Sequence, residues 1–306
     1  MSIIDFHVHF GVAGYPLGKS YQDTYGEEKW RIVQEKNKVQ QDRWRKAWRF
    51  DQPLPPEADV AVTAKMWLKE MEKNDLSHMV FVTCGNNDIA SQVVKMAPDR
   101  FIAFAHHDPC LPDAAEQLEH AIVDLGLKGY KILGPAIDKA LDDPSLEPVW
   151  EVCEKHGIPV LIHFGILGGA GGIARHVNMS PMVLHDVAKA HPTIPFVVPH
   201  FGCGETKDTL FLAWACPNIY IDTSGSNQWT RWMPYPLTVR DLFLKFYQTI
   251  GPSRILFGTD SFWFPRGFVK QYFDAQMRDC VELGMPDGDI DLIFSGNAKT
   301  LLKIGK

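Results

Sequence analysis

Histidine and aspartate side chains follow several short apolar runs of the sequence. The five residues of this kind that offer a metal ligand at the end of such a run are His7, His9, His163, His200 and Asp260. Imidazole nitrogen and carboxylate oxygen suit Zn²⁺, and three or four protein ligands leave room for water or substrate. These residue types therefore predict a site for a divalent metal ion, with Zn²⁺ as the first expectation and Mn²⁺ or Fe²⁺ as alternatives.

The spacing of His7 and His9 adds to this prediction. Residues two apart on a strand point to the same side, so both imidazoles can reach one ion. An H-x-H pair also arises by chance, and a lone histidine in a strand is more often structural. A metal-binding or catalytic role is favoured over a structural one because His163, His200 and Asp260 also end predicted strands. Barrel enzymes keep their active sites at the carboxyl ends of their strands.

Eight β-rich runs alternate with helical patterns, which is typical of repeated βα units. From the second run onward their starts lie 23 to 36 residues apart, close to the ~30 residues of one βα unit. We therefore predict an α/β fold, a (β/α)8 TIM barrel. The alternative, a doubly wound open sheet, would require a glycine-rich turn after the first strand. The first strand instead continues into FHVHFG. The runs are Ser2 to Phe6, His78 to Thr83, Phe101 to Ala105, Leu127 to Leu133, Ile158 to His163, Ile194 to Pro199, Ile219 to Asp222 and Arg254 to Gly258.

Residues 19–58 break this rhythm with one or two charged helices and a proline-rich turn after the first strand. An insertion there would lie over the catalytic face of a barrel. It is interpreted as a lid or a homodimer contact, with a solvated helical hairpin as the equal alternative. Elsewhere, Ser145 is predicted to cap a helix that stops at Gly157. The glycine-rich segment GILGGAGGI is predicted to be an active-site loop.

Composition bounds the functional class. The 306 residues are predicted to form one domain, 1–306, and a net charge of −6 gives no support for a nucleic-acid partner. No C-x-x-C pair occurs among the six cysteines, which we expect to be reduced thiols. The sequence starts MSIIDFHVHF and has no membrane-length apolar run, so we predict a cytoplasmic protein with a small-molecule substrate and no membrane partner.

Several motifs together resemble the amidohydrolase superfamily, and most of all its amidohydrolase-2 group. They cover nearly the whole chain apart from residues 12–58 and read IIDFHVHFG, GLKGYKIL, PVLIHFG, VVPHFG, PNIYIDTSG, ILFGTDSFWFP and SGNAKTLLKI. This group also holds aminocarboxymuconate-semialdehyde and hydroxybenzoate decarboxylases. The resemblance implies a (β/α)8 fold with one metal ion favoured over two. It also implies that His7, His9, His163 and Asp260 bind the metal while His200 orients or polarises water or substrate.

The first functional expectation is a hydrolase that uses metal-activated water on an amide, cyclic amide, ester or lactone. Asp260 would act as the base and then as the acid, with His200 assisting the proton transfer. The alternative is a nonoxidative decarboxylase or hydratase that acts on a small carboxylic acid. A noncatalytic ligand-binding barrel is a third interpretation, against which the intact ligand set argues.

Four further residues are predicted to contact substrate. Lys131, in KGYKIL, would bind a substrate carboxylate as an ammonium, or would bridge two metals if carboxylated as in some amidohydrolase branches. Asn86 follows the second strand, Trp263 would cover a planar substrate, and Arg266 would donate two hydrogen bonds to a carboxylate. A structural role is the alternative for each of them.

Overall fold

The structure is a computed structural model that describes residues 2–11, 19–165 and 177–305. The predicted glycine-rich loop lies, apart from Gly165, outside these residues. In the described ranges the strands are β1 (Ile3–His9), β2 (Leu76–Thr83), β3 (Phe101–Ala103), β4 (Ala105–His106), β5 (Tyr130–Leu133), β6 (Val160–His163), β7 (Phe196–Val198), β8 (Ile219–Asp222) and β9 (Ile255–Leu256).

All strand pairs are parallel, and they run in the order β1-β2-β3 and then β4 through β9. The third barrel strand is split into β3 and β4, because the Phe104 N–H donates to Phe81 O at 3.0 Å whereas the Ala105 N–H donates to Gly129 O at 2.8 Å. The last and first strands meet where the Phe6 N–H donates to Phe257 O at 3.0 Å. With β3 and β4 counted as one strand, the sheet is a closed barrel of eight strands, which confirms the predicted (β/α)8 fold.

Helices fill the crossovers between the strands. Outside short 3₁₀ turns and a π-helical turn at Leu292–Gly296, they are α1 (Lys19–Tyr25), α2 (Glu27–Ala47), α3 (Val60–Lys73), α4 (Asn87–Met96), α5 (Ala114–Val123), α6 (Glu147–His156), α7 (His185–Ala190), α8 (Thr206–Ala215), α9 (Ser226–Trp229), α10 (Val239–Ile250), α11 (Lys270–Glu282), α12 (Asp287–Asp291) and α13 (Asn297–Leu301).

The ends of α6 test the predicted stop and start signals. Gly157 ends this helix in the left-handed conformation, with φ of 56°, as predicted. Ser145 is not its N-cap. It lies in a preceding 3₁₀ turn, Pro144–Leu146, where the Asp143 side chain accepts a hydrogen bond from the Ser145 N–H at 2.9 Å. The Asp143-Pro144 pair starts the turn earlier, because aspartate caps a helix as well as serine does and proline suits the first turn.

Side-chain alternation divides the core into two layers. Buried residues from most strands, such as Phe6, Val82 and Leu161, form one apolar cluster that α13 residues close off. The other strand residues pack outward against the helices in a larger cluster, which includes Tyr130 and Ile132 of β5. Because neighbours on a strand alternate in direction, Lys131 between them points inward. Lys131 is therefore a charged residue in a layer to which most other described strands contribute apolar side chains.

The predicted helical insertion after β1 consists of α1 and α2, and α2 has no buried residue. Its carboxyl end packs through aromatic rings: Trp44 lies 5.7 Å from Trp263, and Trp48 lies 5.3 Å from Tyr272, between ring centroids. This end therefore contacts the segment that follows the last strand. No helix of the described ranges is long and apolar enough to cross a membrane. In the part of the chain that the structure describes, no disulfide joins any of the six cysteines.

Candidate metal centre

The first strand ends in an irregularity that positions its two histidines. The register between β1 and β2 shifts between Asp5 and Val8 and again between Val8 and His9, so the regular alternation fails there. The His7 and His9 rings nevertheless lie 5.1 Å apart, between centroids. The prediction that the two imidazoles share one site is consistent with this distance, but a β-bulge rather than ideal pleating brings them together.

His7 is fully buried and held in one orientation. Its Nδ1 lies 2.7 Å from Asp222 Oδ2 and 3.0 Å from Ser224 Oγ, whereas its Nε2 is buried with no hydrogen-bond partner among the described residues. A proton on Nδ1, donated to the carboxylate, leaves the Nε2 lone pair facing the rim. Burial also lowers the pKa of His7, although Asp222 opposes this, so the ring suits a neutral ligand.

His200 lies in a segment of unusual backbone conformation. His200, Phe201, Gly202, Cys203 and Gly204 all have positive φ, from 47° to 97°. Such a run is costly for residues with side chains and persists only where its surroundings hold it in place. The surroundings do so here: the His200 N–H donates to Asp222 Oδ1 at 3.2 Å, the His200 carbonyl accepts from Trp229 Nε1 at 2.8 Å, and His200 Nδ1 lies 2.7 Å from Ser224 O.

Asp260 follows the last strand with a φ of 59°, and its N–H donates to His7 O at 2.9 Å. Its Oδ1 lies 3.1 Å from His9 Nε2 and 4.0 Å from His7 Nε2. The other ring nitrogen of His9, Nδ1, lies 2.7 Å from Thr83 Oγ1. Burial alone would raise the pKa of Asp260, but the hydrogen bond with His9 and the neighbouring imidazoles hold it well below its usual range. Asp260 is therefore an ionised carboxylate.

Three of these residues meet the distance requirement for a shared ion. One ligand atom each from His7, His200 and Asp260 lie within 4.8 Å of one another. The His163 ring, at the end of β6, lies 5.1 Å from the His200 ring. The donor set consists of the buried Nε2 of His7, the ionised carboxylate of Asp260 and the neighbouring neutral imidazoles. A divalent cation fits such a set.

The four residues predicted to contact substrate lie in three different places. Arg266 and Trp263 lie beside the centre: an Arg266 Nη2 donates to Asp260 O at 2.6 Å, and its guanidinium lies 4.2 Å from the Trp263 ring. Lys131 is buried and points to the interior. The exposed side chain of Asn86 caps α4 by accepting a hydrogen bond from the Ile89 N–H at 2.9 Å.

Asp222 and Ser224 are the important residues that the motif reasoning did not assign to the centre. Asp222 accepts hydrogen bonds on Oδ1 from the N–H groups of His200 and Ser224, at 3.2 and 2.9 Å, and from the Ser224 hydroxyl. The charge and hydrogen bonds of His7 lower the pKa of Asp222 despite the opposing effect of burial. Its position at the end of IYID, like that of the histidines at their strand ends, is the sequence signal that marks it.

A (β/α)8 barrel with imidazoles and a carboxylate on its carboxyl rim is the arrangement of metal-dependent amidohydrolases. The sequence model of the amidohydrolase family matches residues 4–304. The chain therefore belongs to the amidohydrolase family and is an enzyme of that family, as the motifs indicated.

The curated relatives include decarboxylases. Over 105 residues the chain is 37% identical to 2-amino-3-carboxymuconate-6-semialdehyde decarboxylase of Dictyostelium discoideum, which covers 34% of this chain and 28% of that protein. Over 218 residues it is 25% identical to gamma-resorcylate decarboxylase of Rhizobium radiobacter, which covers 57% of this chain and 63% of that protein. Both matches span less than two thirds of the relative.

Among solved structures, an uncharacterized TIM-barrel protein from Bordetella bronchiseptica superposes with a TM-score of 0.69 at 22% identity and covers 99% of both chains. A 2,6-dihydroxybenzoate decarboxylase from Rhizobium superposes with a TM-score of 0.64 at 19% identity over 100% of both chains. These likenesses support the barrel fold over the full length.

Proposed function

We propose that this enzyme is a metal-dependent, nonoxidative decarboxylase of a small aromatic or unsaturated carboxylic acid. The observation that carries the metal dependence is the buried Nε2 of His7, which has no hydrogen-bond partner among the described residues and lies 4.0 Å from the ionised Asp260 carboxylate. The sequence alone favoured hydrolysis, which uses the same residues. The names of the two curated relatives favour decarboxylation instead, so the order of the two hypotheses is reversed here.

The proposed ligands are His7, His9, His163 and Asp260, which hold one divalent ion, with Zn²⁺ first and Mn²⁺ or Fe²⁺ as alternatives. When bound, this ion would supply Lewis acidity to the substrate oxygen beside the carboxyl group. His200 belongs to the same cluster of ligand atoms. We assign it to orienting the substrate, the role that the resemblance to the amidohydrolase-2 group implies, with its Nε2 available because its Nδ1 is engaged with Ser224.

The reaction breaks the bond between the substrate carbon and its carboxyl group. Carbon dioxide leaves, the electron pair stays on the carbon, and a proton then binds to that carbon. We assign the transfer of this proton to Asp260, because it is the carboxylate that lies in the cluster of ligand atoms with His7 and His200. It would take the proton from a substrate hydroxyl or water and return it to the carbon.

The insertion is proposed to be part of the wall that keeps water out of the site. Phe50, which follows α2, lies with its ring 6.2 Å from Trp263 and 5.1 Å from the Arg266 guanidinium. Arg266 in turn donates to Asp260 O. The charged helices thus connect to the backbone that carries the catalytic carboxylate. This connection supports the lid interpretation, while the homodimer contact stays a prediction.

The test is a product assay with a panel of hydroxybenzoates, unsaturated dicarboxylates and lactones incubated with the metal-loaded enzyme. We expect carbon dioxide and the decarboxylated product from at least one acid, and loss of this activity in Asp260→Asn. Asp186→Asn is the matched control, because the Asp186 side chain is 88% exposed. Hydrolysis of a lactone without carbon dioxide release from any acid would instead support the hydrolase alternative.

A further inference from the structure

We propose that Lys131 is the residue that binds the carboxylate group of the substrate. This inference rests on the proposed function, since it names the part of the substrate that the site recognises. Its basis is a buried ammonium, on an interior-facing strand position, with which no carboxylate of the described residues forms an ion pair.

The position of Lys131 follows from the sheet. In the pairing of β5 with β6, Lys131 lies opposite Leu161, which belongs to the interior apolar cluster. Tyr130 and Ile132 on either side of it pack outward. At 1% exposure, Lys131 is among the largest fully buried side chains of the protein. Since most other strands place apolar side chains in this layer, a lysine here has no packing advantage over leucine.

The surroundings of Lys131 are the proposed active site. Asp222 and Asp260 are the acidic groups whose charge acts on its ammonium, and the charge of Lys131 in turn acts on His7, His9, His106 and His200. Burial lowers the pKa of Lys131 to about 8, so the ammonium is the main form at neutral pH.

The carboxylates near Lys131 are already engaged. Asp222 receives His7 on one oxygen and three donors on the other, and Asp260 Oδ1 contacts His9. Neither carboxylate, nor any other among the described residues, forms an ion pair with the Lys131 ammonium. A buried charge without a partner costs several kcal/mol, at least ~2–3, so a partner is expected from outside the chain.

The chemistry of the side chain identifies the kind of partner. An ammonium offers three N–H donors and no acceptor, so its partner must accept hydrogen bonds. A carboxylate accepts them in charge-assisted form and also neutralises a buried positive charge. A substrate carboxylate therefore fits the buried Lys131 ammonium.

The test compares the binding of an acid with that of its neutral counterpart. Isothermal titration would measure 2,6-dihydroxybenzoate and 1,3-dihydroxybenzene against the metal-loaded wild type, Lys131→Met and Lys131→Arg. Lys128→Met is the control, because Lys128 is exposed three residues earlier. Metal content is measured for each protein. We expect Lys131→Met to weaken the acid about 10- to 100-fold, the value of a charge-assisted hydrogen bond. The neutral diol should change by less than about twofold, and Lys131→Arg should recover part of the loss.

An equal loss for both probes, no loss for the acid, or no binding of the acid to the wild type would overturn the proposal. If Lys131→Met does not fold, a crystal structure of the wild type with the acid decides the matter. A carboxylate oxygen within about 3.2 Å of Lys131 Nζ supports the assignment and a carboxylate elsewhere refutes it. Because binding needs no turnover, selective binding without carbon dioxide release would keep this inference and refute the decarboxylase proposal.

Discussion

Replacing Asp222 by asparagine should weaken metal binding through the tautomer of His7. Asp222 Oδ1 accepts hydrogen bonds from the His200 N–H, the Ser224 N–H and the Ser224 hydroxyl, whereas its Oδ2 lies 2.7 Å from His7 Nδ1. An asparagine would have to put its carbonyl oxygen where those donors converge. Its amide group would then face His7 Nδ1, force that nitrogen to accept, and place the ring proton on Nε2. The nitrogen that faces the centre would lose its lone pair.

The expected magnitude follows from this change. Removing such a carboxylate behind a ligand histidine costs about 10- to 100-fold in metal affinity, which corresponds to about 1.4–2.7 kcal/mol. We expect the upper half of this range, because the side chains of His7 and Asp222 are both fully buried.

The assay is a competition between the protein and a chromophoric chelator, with Zn²⁺ at fixed pH. Asp186→Asn, which changes an exposed carboxylate, controls for the loss of one negative charge. Far-ultraviolet circular dichroism establishes that Asp222→Asn is folded. A folded Asp222→Asn protein that binds Zn²⁺ within about twofold of the wild type would refute the tautomer argument.

Two further substitutions test the strained segment and the insertion. Gly202→Ala should lower Tm more than Gly26→Ala does. Both residues have φ near 88°, so each substitution adds about 1–3 kcal/mol of backbone strain. Only the Cβ added at Gly202 would also overlap the Thr209 hydroxyl. Equal melting temperatures would contradict this steric account. Phe50→Ala should speed proteolytic cleavage within residues 19–58 and destabilise the protein by less than the ~3–5 kcal/mol of a fully buried phenylalanine. Phe211→Ala, at a site 59% exposed, should change neither property, and cleavage of the two variants at the same rate would count against the proposed contact.

The strand ends of the barrel could be predicted because their signal is local. Runs such as PVLIH and IYID are apolar on both faces, and the residue that ends each run must face the rim. His7, His163 and Asp260 could thus be placed before any contact was known. The exact length of the strands could not, since β7 and β9 keep only three and two residues in regular pairing.

The features that the sequence could not supply depend on distant residues. Asp222 lies 215 residues from its partner His7, and no pattern along the chain pairs them. The left-handed run at His200 is indicated only by two glycines in HFGCG, because its strain is offset by bonds to Asp222 and Trp229. The contact of Phe50 with Arg266 likewise joins an irregular turn to a loop, where periodicity carries no information.

The central claim is that His7 and its neighbours hold a divalent ion, and metal content tests it most directly. Wild-type protein purified without chelator is compared by elemental analysis with His7→Ala and with His191→Ala, which removes another buried histidine elsewhere in the fold. We predict about one ion per chain in the wild type and in His191→Ala. In His7→Ala we predict a small fraction of that content. Unchanged metal content in a folded His7→Ala protein would contradict the account.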